Sequence, residues 1–82
     1  MAKLRRLTGG EVVALLEQLG FSVVRIKGSH YRMKLISDDH TCYTTVPVHG
    51  KANIPVGTLK AIYRQVATCI PEDELTPLFY TD

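Results

Sequence analysis

The sequence predicts an α+β fold in which two helices cover one face of a three-stranded antiparallel sheet. Three observations carry this. A capped amphipathic segment opens the chain, three β-rich segments follow with turn residues between them, and a second amphipathic segment begins after a proline. Thr8 to Gly20 is the first helix. Thr8 with Glu11 three residues on has the form of a capping box, and Val12, Leu15, Leu16 and Leu19 fall on one helical face. Gly20 is the C-terminal stop.

Phe21 to Lys27 is the first strand, marked by Val23, Val24 and Ile26. Gly28-Ser29 supplies a turn. Tyr31 to Ile36 is the second strand, and its alternation sends Tyr31, Met33 and Leu35 one way and His30, Arg32 and Lys34 the other. Ser37-Asp38-Asp39-His40 forms a hairpin loop, and Thr41 to Val48 is the third strand, with Pro47 at an edge or a frayed end. After a loop from His49 to Val56, a second helix runs over about Pro55 to Thr68 with Leu59, Ile62, Tyr63 and Val66 on its apolar face. The chain reads as one domain over 1–82, with a core over about 4–70 and an acidic tail or short helix over 71–82.

A chain of 82 residues buries roughly 60–65% of its unfolded surface, which leaves no room for a deep, enclosed site. Chemistry therefore belongs on an open face or in a shallow groove, which favours a polymer or protein partner over a small-molecule cofactor. All ten lysines and arginines lie between Lys3 and Arg64, where only four acids stand against them, a local balance of +6. Such a body suits a phosphate-facing surface, although solvated surface charge has the same composition. No apolar run resembles a signal peptide or approaches the roughly 20 residues of a membrane span, so the expected setting is the cytoplasm. Cys42 and Cys69 form no CxxC pair and read as free thiols of a reducing compartment.

With Tyr31, Met33 and Leu35 turned to the helices, His30, Arg32 and Lys34 stand on the uncovered sheet face. Arg25 and Lys27 join them if Val24 and Ile26 point to the core. Up to four cations then surround one histidine.

At this point the residues resemble a known family, the HicA (YcfA-like) toxins. The likeness rests on Leu19-Gly20-Phe21, on Lys27-Gly28-Ser29-His30-Tyr31, on Val46-Pro47-Val48-His49-Gly50-Lys51, and on Gly57-Thr58-Leu59 opening the second helix. It covers about Leu4 to Val66. The resemblance implies a fold like the double-stranded RNA-binding domain, in α-β-β-β-α order. It also implies an mRNA interferase activity that arrests growth, and a HicB-like antitoxin that covers the active face. The family's catalytic histidine maps onto His30, and its turn residues onto Gly28 and Ser29.

The residue types suit that chemistry. RNA is cut when its 2′-OH attacks the adjacent phosphate, and histidine suits the proton transfer because its ordinary pKa, about 6.5, lies near cellular pH. Arg25, Lys27, Arg32 and Lys34 are candidates to hold RNA and stabilise charge on phosphorus, with His49 and Lys51 as further RNA contacts. His30 reads as general base, and His49 is a candidate for the acid. Ser29, adjacent to His30, is a turn residue or phosphate contact rather than a nucleophile. His40, Cys42 and His49 match no standard zinc spacing, so no metal or cofactor is expected. Tyr31 and Tyr63 read as core, while Tyr43 is left open between core and base stacking. Two other functions fit the same residues: a non-catalytic RNA-binding module, which needs the cations but not His30, and an inactive toxin relative that acts through protein interaction.

Overall fold

A computed structural model describes residues 2–81. Met1 and Asp82, the ends of the expected 1–82 domain, lie outside the described residues. The element order is β1 (Lys3–Leu4), α1 (Gly9–Gln18), β2 (Ser22–Lys27), β3 (His30–Ile36), β4 (Thr41–Pro47), α2 (Val56–Val66), α3 (Glu72–Phe79) and β5 (Tyr80–Thr81). The strands β2, β3 and β4 form an antiparallel sheet in chain order, and β1 pairs with β5 in a separate two-stranded ribbon. The central α1-β2-β3-β4-α2 run has the arrangement of the double-stranded RNA-binding domain.

Helix α1 starts as its sequence requires. Glu11 N donates to Thr8 Oγ1 at 3.1 Å, and Thr8 N donates to Glu11 Oε1 at 2.8 Å, closing the capping box. The Thr8 backbone hydrogen bond, then the contact with its side chain, hold the Glu11 carboxyl below the usual carboxylate range. After the C-cap, Gly20 takes φ 104°, the left-handed region that side chains avoid. Val12 and Leu16 point into the core with Met33, Val46, Leu59, Ile62 and Val66, all essentially without solvent exposure.

Gly9 fixes where α1 meets the sheet. A Cβ there would run into the Pro47 carbonyl oxygen and approach Val48 Cα to 2.7 Å, so only glycine lets the helix start sit against the end of β4. The chain from His49 to Pro55 is tied to the same corner. Ile54 N donates to Leu7 O at 2.8 Å, Thr8 bridges to Asn53, and Ala52 N closes a turn on His49 O at 3.0 Å.

Three features sharpen or correct the sequence reading. First, the segment after Pro71, expected as a tail or short helix, is the helix α3, whose Leu75 and Phe79 are fully buried; Tyr63 packs edge-on against Phe79 at 5.5 Å and hydrogen-bonds Thr76 at 2.8 Å. Tyr63 is thus half-buried against α3. Second, Cys42 and Cys69 are joined as a disulfide, with Cα atoms 6.3 Å apart, and not free thiols. The turn that ends α2 carries Cys69 back onto the start of β4, a proximity that their separation of 27 in sequence does not reveal. Third, Val24 is 51% exposed and does not share the core side, whereas Ile26, opposite Tyr31, does share it but is 56% exposed.

Candidate functional site

The phase of β2 decides which side chains share the open face. The register pairs Val23 with Met33 but Arg25 with Arg32, so Val24 is an extra residue, a β-bulge. Without it, Arg25 would follow Val23 toward the helices, because side chains two apart share a face. The bulge reverses the phase and puts Arg25 and Lys27 on the side of Arg32 and His30. The sequence reading reached this grouping through inward-facing Val24 and Ile26, of which only Ile26 shares the face of Tyr31. The bulge is what produces it, with Val24 left at the sheet edge.

His30 is the first residue of β3, directly opposite Lys27 on β2 and Pro47 on β4. Gly28 and Ser29 make the two-residue connection. Gly28 has φ 58° and Ser29 does not have a positive φ, the pattern of a type II′ hairpin turn, which places glycine first. Ser29 O accepts from Val48 N at 2.7 Å, which anchors the turn to the strand end that leads to His49. The His30 side chain is exposed, and no hydrogen bond to it is found among the described residues.

Two depressions meet at His30. One, of about 150 Å³, is lined by Arg25, Lys27, His30, Arg32 and Thr45. The other, of about 420 Å³, includes His30, Thr45, Pro47, His49, Asn53 and Thr58. His30 therefore stands between a cationic hollow and a groove that holds a second histidine. Arg32 also reaches Thr45 Oγ1 at 3.4 Å.

The remaining sequence candidates are placed as follows. Lys34 lies on the same open face but farther along β3, opposite Tyr43. Lys51 is exposed in the turn after His49 and lines neither depression at His30. His40 belongs to a different cluster: its Nε2 donates to Thr68 O at 2.9 Å and lies 3.4 Å from Cys69 Sγ. The metal-ligating types that come together are therefore His40, Cys42 and Cys69, and His49 is not with them. Tyr31 is half-buried on the core side, and Tyr43 is on the open face, 43% exposed. Thr45 and Asn53 carry no signal of a site in the sequence; the β3–β4 register and the bridge at Asn53 bring them to the groove at His30, and Thr58 reaches it from the first turn of α2.

These features define a small α+β protein with a double-stranded-RNA-binding-domain-like arrangement, a basic open sheet face and a turn-borne histidine beside a groove. The family described as the HicA toxin of bacterial toxin–antitoxin systems matches residues 9–67, and the chain belongs to that family. The match spans α1 to the end of α2, including the whole of the site, and leaves α3 and the β1–β5 ribbon outside. No curated protein and no solved structure shows significant similarity to the chain. Among the described residues no helix is long and apolar enough to cross a membrane.

Proposed function

We propose that this toxin is an endoribonuclease that cuts mRNA with His30 as its catalytic histidine, acts in the cytoplasm as a single domain over 1–82, and is neutralised by a HicB-like antitoxin laid over the same face. The observation that carries the reading is the position of His30, exposed at the start of β3 directly after a two-residue turn, between a hollow lined by three cations and a groove that contains His49.

His30 takes the proton of the 2′-OH as general base. The attacking oxygen then closes a cyclic phosphate as the bond to the 5′ oxygen breaks. Arg25, Lys27 and Arg32 stabilise the charge that develops on the phosphoryl oxygens, with the Gly28 and Ser29 amides as further phosphate contacts. His49, on the other wall, supplies the proton to the leaving 5′ oxygen. Lys34 and Lys51 carry the flanking strand. An exposed His30 supports the reading that an antitoxin acts on this face, since among the described residues it is left open to solvent.

Expression in a bacterial host tests the reading. Wild-type protein should arrest growth, His30→Ala should not, and co-expression of a HicB-like antitoxin should restore growth to wild-type cells. Arrest that persists in the His30→Ala strain contradicts the assignment.

A further inference from the structure

A second cleft of about 380 Å³ lies between β4 and α2, lined by Arg32, Tyr43, Thr45, Thr58, Ala61 and Gln65. It is continuous in its walls with the groove at His30, because Thr45 and Thr58 line both. Its size falls within the range of small-ligand sites, roughly 300–1,000 Å³. Three details show a built site. Tyr43 presents its ring on the open face, with the Arg32 guanidinium 4.6 Å and the Lys34 ammonium 5.8 Å from its centroid. Thr44, the one buried polar residue among those described, donates its hydroxyl to Gln65 Oε1 at 2.7 Å. That bond fixes the Gln65 side chain and occupies its acceptor, which leaves the amide Nε2–H₂ as the free end in the cleft.

We infer that this cleft is a nucleobase subsite, in which a base of single-stranded RNA flanking the scissile phosphate stacks on Tyr43 and accepts a hydrogen bond from Gln65. The inference rests on the RNA reading above and extends it from phosphate chemistry to recognition. An aromatic ring flanked by cations is how proteins hold an unpaired base beside its backbone. The cations of β2 and β3 track the phosphates from His30 toward Lys34, and the base turns off that track into the cleft. Stacking is indifferent to base identity, so selectivity falls to Gln65, whose free donors suit bases that offer an acceptor on the exposed edge.

Binding of a short RNA carrying 2′-O-methyl groups, which cannot be cleaved, tests this without requiring catalysis. An abasic residue is moved through the oligonucleotide one position at a time, against wild type, Tyr43→Phe, Tyr43→Ala and Gln65→Glu. Gln65→Glu keeps an acceptor for Thr44 and removes the donor. Removing one particular base should weaken binding to wild type and Tyr43→Phe by roughly 5- to 150-fold, the range for one stacked base. With Tyr43→Ala that penalty should disappear, and Gln65→Glu should shift the base preference at that position alone by about tenfold. Abasic penalties that are the same in wild type and Tyr43→Ala overturn the subsite. If wild type cuts RNA but shows no coupling at any position, the subsite fails and the nuclease reading survives. If coupling is present and no RNA is cut, the subsite stands and the nuclease reading falls.

Discussion

Two hairpin ends of one sheet each carry a histidine, and the protein uses them differently. At the 28–29 end the turn is two residues long, the flanking strands bring cations, and His30 stands exposed with no side-chain partner among the described residues. At the 37–40 end the loop carries Asp38 and Asp39, and His40 donates to the Thr68 carbonyl beside the Cys42–Cys69 bond. One end presents its histidine to solvent beside a hollow lined by cations, and the other spends its histidine on tying β4 to the turn after α2. Residue type alone does not separate these roles; the neighbours do.

The largest expected effect tests that contrast. His30→Ala should lower RNA cleavage by about 10²–10⁴-fold or more with folding intact, whereas His40→Ala should leave the cleavage rate near wild type. Equal losses in the two variants would break the comparison. The next effect belongs to the other end. Opening the Cys42–Cys69 link, by reduction or by Cys42→Ser with Cys69→Ser, releases a loop closed over a separation of 27. Chain-entropy arguments put the loss near 3–4 kcal/mol, readable as a lower midpoint in urea. Cleavage below the melting range should be unchanged, because neither cysteine lines the depressions at His30. The oxidised and reduced proteins are therefore expected to differ in stability and not in activity.

Smaller effects follow from charge. Arg32→Ala should flatten the dependence of log affinity on log salt for RNA by about one unit of slope, through loss of one phosphate contact. An unchanged slope, measured by titration at several salt concentrations, would remove Arg32 from the backbone track. At α1, Thr8→Ala should cost about 1 kcal/mol in denaturant melts. The Glu11 carboxyl has its folded pKa below its unfolded one, so its contribution is present above the unfolded value and is lost as pH falls through the folded value. The wild-type advantage over Glu11→Gln should therefore shrink on acidification, and a constant gap would contradict the capping role.

Much of this was legible in the sequence, for local reasons. Thr8 with Glu11, Gly20 and Gly28 are positions where backbone chemistry admits few residues, and they mark the helix ends and the turn within a residue or two. The alternation of β3 placed His30, Arg32 and Lys34 on one face because a strand's period is two. What was not legible depends on contacts distant in sequence. Two successive β-branched residues, Val23-Val24, fit a strand in either phase, so the bulge is visible only once β3 is paired. The prolines and acids after Ile70 fit a tail or a short helix equally, and the burial of Leu75 and Phe79 decides for the helix. Two-residue strands such as β1 and β5 have no period to read, and Gln65 acquires a role only because Thr44 reaches it.

The most direct test compares cleavage of one RNA by wild type and His30→Ala, with and without a single 2′-deoxy substitution at the cut position. The account predicts that only wild type cuts, and only where the 2′-OH is present. Cleavage of the 2′-deoxy strand, or an unchanged rate in His30→Ala, would contradict it.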